Sequence, residues 1–239
     1  MFLKRITFLR EDVQDYHEYP FSIPSISNLH HLDIDNKVTF FVGENGSGKS
    51  TLLEAIADKC EFNTAGGSRN NSYDVHAAGS ALGDYIRLSW MPKITNGFFL
   101  RAESFYHFVS HIDEVDLTGF RDYGGRSLHE QSHGESFLSL FLNRFKGSAI
   151  YLLDEPEAAL SPQRQLSFLR IIHDLTESGD CQFIIATHSP ILLGYPGATI
   201  LSFDDGRIAE VNYEETDHYR ITKYFLQHRE KFLKDILEE

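Results

Sequence analysis

The sequence predicts an α/β fold: a mainly parallel sheet with an antiparallel portion and a small helical lobe, built as one unit over residues 1–239. Three observations predict it. Apolar stretches bounded by turn residues recur along the chain with helical patterns between several of them, the alternation that builds a parallel sheet. Two of these stretches, Ala149–Leu153 and Phe183–Ala186, are continuously apolar, as strands are when both of their faces are covered. A glycine-rich segment, Gly43 to Gly48, stands directly between an apolar strand and a helical pattern.

Composition bounds the rest. With 239 residues, 41% of them hydrophobic and 24% charged, the chain has material for one sizeable core. A disordered tail, a disulfide mini-protein and a membrane bundle are excluded. The formal net charge of −13 disfavours diffuse attraction to nucleic acid or anionic lipid unless basic residues gather on one face. Cys60 and Cys181 are far apart and show no metal-type spacing, which predicts reduced thiols in an intracellular, cytoplasmic setting. The N-terminal MFLKRITFLR lacks the unbroken apolar core of a signal peptide, and no later run approaches the ~20 apolar residues that span a bilayer. No membrane insertion is expected.

Strands are predicted at 2–9, 37–42, 84–90, 97–101, 149–153, 181–187 and 198–203, the early ones forming the antiparallel portion. Residues 60–83, rich in Gly, Asn, Ser and Ala without periodicity, read as a loop or flexible insertion. Phe105, Phe108, Val109 and Ile112 mark a helix that gives way to Tyr123-Gly124-Gly125-Arg126, so a small helical lobe is expected near 104–147. A helical C-terminus is expected after about Glu214.

The strongest chemical signal is Gly43-Glu44-Asn45-Gly46-Ser47-Gly48-Lys49-Ser50, a complete G-x-x-x-x-G-K-S between strand Val38–Val42 and the helical pattern Thr51–Lys59. Its glycines let backbone N–H groups wrap a phosphate, and the helix N-terminus adds partial positive charge. Lys49 then reaches the β- and γ-phosphates and Ser50 offers a hydroxyl to Mg²⁺. The bland alternative is a glycine turn closing a strand–helix corner. The second signal is Asp154-Glu155, two carboxylates at the carboxyl end of an apolar strand, where an open parallel sheet binds its ligands. Asp154 suits the Mg²⁺ shell, and Glu155 suits orientation or deprotonation of an attacking water.

Taken with Ser132-His133-Gly134-Glu135-Ser136, Ala159-Leu160-Ser161-Pro162 and Ala186-Thr187-His188-Ser189, these segments resemble, in order, the Walker A, signature, Walker B, D-loop and H-loop motifs of ATP-binding-cassette (ABC) ATPases, within the P-loop NTPases. The resemblance spans residues 43–189 and is to compact soluble bacterial members related to chromosome-maintenance and DNA-repair ATPases. It implies ATP and Mg²⁺ as ligands, Gly43 through Thr51 as the phosphate-binding segment, and an ATP-dependent homodimer with each nucleotide between one copy's Walker motifs and the other's Ser132, Gly134 and Glu135. It also implies His188 as the switch histidine acting with Glu155 and Lys49. Phe137, Leu138, Phe141, Leu142 and Phe145 place a helix after Gly134, so its N-terminus is expected to stand free as an anion site.

Two departures stand out. The family's glutamine before the signature lobe is absent, and Glu103 in Gly97–Ser104 is the substitute oxygen ligand for Mg²⁺. The adenine-stacking aromatic is open among Tyr16, Tyr19 and Phe21, each of which could be core. His129-Glu130-Gln131-Ser132-His133 matches the H-E-x-x-H of zinc peptidases, but it overlaps the signature and explains none of the other motifs. His107 with His111, and His30 with His31, read as packing or surface residues.

The reading is therefore a soluble ATP hydrolase whose dimerisation switches an effector protein or a DNA contact, with Arg121, Arg126, Arg164 and Arg170 as the basic patch that DNA would need. Coiled-coil arms are not expected, since only about eighty residues separate Walker A from the signature and none shows sustained heptads. The alternatives are the nucleotide-binding subunit of an ABC transporter docking on a separate permease, and a binding switch that barely turns over.

Overall fold

The computed structural model describes residues 1–64, 66–67, 81–103, 105, 109–110, 133–143, 147–178 and 180–237. The strands are β1 (Leu3–Phe8), β2 (His31–Asp33), β3 (Val38–Val42), β4 (Ile86–Trp90), β5 (Gly97–Arg101), β6 (Ala149–Asp154), β7 (Cys181–Ala186), β8 (Thr199–Ser202) and β9 (Ala209–Glu210). The α-helices are α1 (Pro24–Ser27), α2 (Lys49–Lys59), α3 (His133–Asn143), α4 (Pro162–Ser178), α5 (Pro190–Leu193), α6 (Asp217–Gln227) and α7 (Arg229–Leu237).

A six-stranded sheet runs β5-β6-β7-β3-β8-β9, parallel except for the β8–β9 pair. Along each central strand successive side chains go to opposite faces, and both faces are buried. Phe40, Tyr151, Leu153, Phe183 and Ile185 face one core, while Phe41, Ile150, Leu152 and Ile184 face the other. This is why the central strands read as unbroken apolar runs. On the first face, Phe137 and Phe141 of α3 and Phe168 of α4 form a ring cluster with Phe105, with centroids 4.8 to 5.7 Å apart. On the second face lie α2 and a three-stranded antiparallel sheet, β2-β1-β4.

The buried Gln182 side chain of β7 joins the two sheets. Its Oε1 accepts the N–H groups of Phe2 and Leu3 at 2.9 Å each, and its Nε2 donates to the Leu3 carbonyl at 3.0 Å. A buried amide in an apolar layer is tolerated because its hydrogen-bonding groups are used.

All seven expected strands are present. The short edge strands β2 and β9 were not expected, and α2 begins at Lys49 rather than Thr51. Within the expected insertion, residues 65 and 68–80 lie outside the described residues, but Gly67 is tied to β5, exchanging backbone bonds with Phe99 at 2.7 and 3.1 Å. Of the helix expected from Phe105, residues 105, 109 and 110 are helical and the remainder, with His107 and His111, lies outside the described residues. The C-terminus is helical from Asp217. Among the described residues no helix is long and apolar enough to cross a membrane.

Because β5, β6, β7, β3 and β8 are parallel, their carboxyl ends lie along one edge. Arg101, Asp154, Thr187, Gly43 and Phe203 follow or close those strands, so the loops beyond them converge there.

Candidate functional site

Gly43 to Gly48 leaves β3 in conformations that side chains resist, with φ of 146° at Gly43 and 103° at Gly48. A Cβ on Gly48 would lie 2.9 Å from Ser25 Oγ and 3.1 Å from Ile23 Cγ2, so the loop turns flush against α1. Ser25 reinforces that packing by donating its hydroxyl to the Ser47 carbonyl. On the other side Asp204, just beyond β8, accepts the Glu44 N–H at 2.9 Å.

Lys49 is the first residue of α2, and its ammonium is buried. It donates to the Gly43 carbonyl at 2.7 Å and the Glu44 carbonyl at 2.9 Å, closing the loop on itself. Burial pushes its pKa below the usual lysine range, and the nearby Glu155 and Asp154 carboxylates oppose that shift. Ser47 Oγ is buried in the same loop and has no hydrogen-bond partner among the described residues. An unsatisfied hydroxyl and an ammonium held only by carbonyls fit an acceptor-rich ligand such as a triphosphate.

Asp154 closes β6 and is 5% exposed. Its Oδ1 accepts the Ser50 hydroxyl at 2.9 Å, and its Oδ2 stands 3.5 Å from Arg101 Nε, its register partner on β5. Burial pushes its pKa up to about 6, against the pull of Arg101 and Ser50. Arg101 also pairs with Glu54 at 2.5 Å and with Glu103 at 3.5 Å. A hydroxyl and a carboxylate oxygen 2.9 Å apart are donors that suit a hard divalent cation, so Ser50 and Asp154 fit Mg²⁺, while Glu103 lines the same cleft beside Arg101.

Glu155 adopts a left-handed conformation (φ 50°, ψ 49°), strained for a non-glycine residue, and its N–H is tied to the Ala186 carbonyl at 2.9 Å. Its Oε1 lies 3.5 Å from His188 Nε2. His188 follows β7, and its backbone N–H donates to Glu157 Oε1 at 2.6 Å. Burial and Lys49 push the His188 pKa down, and burial pushes Glu157 up. His188 Nδ1 is 2.7 Å from Nε2 of His218 in the first turn of α6.

These groups border one cleft of about 530 Å³, with Glu44–Gly46 and Gly48–Thr51 on one side and Glu103, Glu155 and His188 on the other. Tyr19 stands at its margin, 69% exposed, with its hydroxyl 3.2 Å from Thr51 Oγ1. Tyr16 instead bonds to the Arg10 carbonyl at 3.1 Å, and Phe21 is buried 4.7 Å from the Tyr85 ring. Of the three aromatic candidates, Tyr19 alone has an exposed ring beside the loop.

Gly134 and Glu135 do not line the cleft; they open α3. The helix tip does not stand free as expected. Gly134 is buried, and a Cβ there would lie 2.3 Å from Arg164 Nη1 and 3.1 Å from the Ala159 carbonyl. Arg164 Nη2 pairs with Glu135 Oε1 at 3.2 Å, so a guanidinium adds its charge at the tip. Ser132 lies outside the described residues, as do His129, Glu130 and Gln131. The proposed arginine patch is also revised: Arg164 is paired with Glu135 and Arg170 with Asp174, while Arg121 and Arg126 lie outside the described residues.

Sequence reasoning missed Arg101, Glu157, Asp204 and His218. Arg101 and Asp204 stand at or just beyond strand carboxyl ends, where the edge rule that found Asp154 applies equally. Glu157 and His218 carry no local signal.

Comparison with known proteins bears on the fold and the family resemblance. A family profile described as "AAA domain" matches residues 22–135, and one described as "AAA domain, putative AbiEii toxin, Type IV TA system" matches residues 117–194. The chain is 28% identical over 200 residues to the cobalamin import ATP-binding protein BtuD of Halobacterium salinarum, covering 77% of this chain and 50% of that protein. It is 26% identical over 207 residues to the glutamine transport ATP-binding protein GlnQ of Escherichia coli, covering 76% and 83% respectively. The chain thus spans about half the length of the halobacterial relative. In structure it resembles the ADP conformation of MJ1267, an ATP-binding cassette of an ABC transporter, with a TM-score of 0.51, 18% identity and coverage of 95% and 96%. At that identity the likeness shows the fold: a P-loop sheet of the ATP-binding-cassette type.

Proposed function

We propose that this chain is an ATPase of the ATP-binding-cassette type, whose cleft binds Mg-ATP and hydrolyses it to ADP and phosphate between two copies packed head to tail. The observation that carries the proposal is the meeting of Lys49, Ser50, Asp154, Glu155 and His188, from three separate strand ends, around one cleft.

Each residue has a derived task. The Gly43–Gly48 backbone and Lys49 take the β- and γ-phosphates, and the buried ammonium offsets negative charge where water screens it least. Ser50 and Asp154, with Glu103 opposite, would hold Mg²⁺, which when bound supplies charge neutralisation to the triphosphate. Glu155 accepts a proton from a water whose oxygen attacks the γ-phosphorus as the bond to the β–γ bridging oxygen breaks. His188 stands beside Glu155 to hold the water or the transferred phosphoryl group. Tyr19 is the ring best placed to stack on adenine.

The cleft is open, and Gly134 and Glu135 of the same copy do not line it. A second copy would close it with Ser132, Gly134 and Glu135, bringing to the γ-phosphate a helix N-terminus against which Arg164 is packed. ADP lacks that group, so hydrolysis would release the dimer. Such a cycle suits a switch acting on an effector protein or DNA.

A second reading is favoured by the names of the relatives, which are import ATP-binding proteins: a subunit that docks on a separate permease. Copurification with a membrane permease would select it, and stimulation of phosphate release by DNA would select the first.

The test is phosphate release from Mg-ATP by the wild type and Glu155→Gln. The variant is expected to turn over about 10²–10⁴-fold more slowly, the usual size of a general-base effect, while still binding ATP. Equal rates would remove Glu155 from the mechanism. A wild-type rate no faster than solvent hydrolysis, despite tight ATP binding, would select a binding switch instead.

A further inference from the structure

Outside the motif residues, a side chain from a different part of the chain touches His188. His218, in the first turn of α6, brings its Nε2 to 2.7 Å from His188 Nδ1, with the rings 4.8 Å apart between centroids. At that distance the two nitrogens share one proton, and which ring owns it decides what His188 presents on its other side.

The two arrangements are unequal. If His188 carried the proton on Nδ1, its bare Nε2 lone pair would point at Glu155 Oε1, 3.5 Å away, and acceptor would face acceptor. If His218 supplies the proton, His188 must carry its own on Nε2. That N–H then faces the Glu155 carboxylate and the position of a bound γ-phosphate. Among the described residues His188 Nε2 is buried with no hydrogen-bond partner, so a ligand acceptor would satisfy an N–H placed there.

We propose that His218 is a positioning residue: its Nε2–H donates to His188 Nδ1 and so fixes the His188 proton on Nε2, facing Glu155 and the phosphoryl group to be transferred. The inference rests on the hydrolysis reading above and extends its site to the C-terminal helices.

The placement of the pair is built in. Ser189, next to His188, caps α5 by accepting the N–H groups of Ile191 at 3.1 Å and Leu192 at 3.2 Å. Thr216, two residues before His218, is buried and caps α6, with its hydroxyl donating to the Tyr213 carbonyl at 2.8 Å. The Tyr213 hydroxyl in turn donates to the Pro190 carbonyl at 2.9 Å. Both histidines therefore hang from one hydrogen-bonded frame, and each ring is oriented by the turn that starts its neighbouring helix. Burial and the Lys49 charge push both pKa values below the usual histidine range, which favours neutral rings with one N–H each to place.

The test is the ¹⁵N spectrum of histidine-labelled full-length protein without nucleotide, together with turnover of His218→Phe and His218→Gln. His188 is expected to carry its proton on Nε2 in the wild type and in His218→Gln, whose side-chain amide can still donate. His218→Phe is expected to lose that preference. Turnover should fall about 10–100-fold in His218→Phe with ATP affinity kept within about twofold, and His218→Gln should recover most of it. A wild-type His188 protonated on Nδ1 would overturn the proposal, even if His218→Phe failed to fold. Wild-type turnover in a folded His218→Phe would overturn it too. Absence of ATP hydrolysis in the wild type would instead contradict the proposed function, because the proton position is read without nucleotide.

Discussion

The Ser50 hydroxyl donates to Asp154 Oδ1 at 2.9 Å across 104 residues of sequence. That bond ties the first turn of the helix after the phosphate loop to the end of the neighbouring-but-one strand, and it brings the two oxygens into one coordination shell. The Ser50–Asp154 part of the proposed Mg²⁺ site therefore exists before any ligand arrives, held on helix and strand.

Lys49→Ala tests the other half. The ammonium is buried and bonded only to its own loop carbonyls, so its removal costs the empty protein little while depriving phosphate of its cation. ATP affinity should fall at least about 100-fold, or roughly 2.7 kcal/mol, with no loss of nucleotide-free thermal stability. Titration with a fluorescent ATP analogue and a melting curve check both parts.

Asp154 sets a pH dependence. Its folded pKa, raised to about 6, exceeds the 3.8 of an ordinary aspartate, so the buried acid contributes stability that is complete below pH 3.8 and is lost as pH rises through 6. His188 and His218 act in the opposite sense. Their lowered pKa values contribute stability that is present above pH 6.5 and lost as pH falls through the folded pKa. Comparison with Asp154→Asn isolates the acid. Without metal or nucleotide, the melting temperature of the wild type relative to the variant should rise as pH drops from 7.5 to 5, at about 2–4 °C per kcal/mol for a chain of this size. Calorimetry at both pH values measures it, and Mg²⁺ affinity should weaken over the same interval as the acid takes up its proton.

How much of this was legible in sequence follows from what shapes each residue. β3, β6 and β7 could be read because burial on both faces demands continuous apolar runs, and the motif residues because phosphate chemistry demands fixed types at fixed spacing. β2, three residues with exposed His31 at its start, and the two-residue β9 could not, since their pairing is decided by neighbours rather than by their own pattern. Arg101 meets Asp154 through the β5–β6 register, and His218 meets His188 through the docking of α6. Neither contact leaves a trace in local sequence. The free helix tip at Gly134 was misjudged for the same reason: Arg164 comes from another helix.

Gly134→Ala probes that tip. Alanine normally favours a helix over glycine by about 1 kcal/mol, but here its Cβ meets Arg164 and the Ala159 carbonyl. The variant should bind ATP as the wild type does, because Gly134 does not line its own cleft, yet turn over at least about 10-fold more slowly. Equilibrium binding and phosphate release at several protein concentrations separate the two effects.

The most direct test of the account is the solution mass of Glu155→Gln with Mg-ATP, read by light scattering. Twice the 27.4 kDa chain mass is expected with ATP, and the single-chain mass with ADP or without nucleotide. A single-chain mass at saturating ATP would contradict the claim that two copies close around the triphosphate.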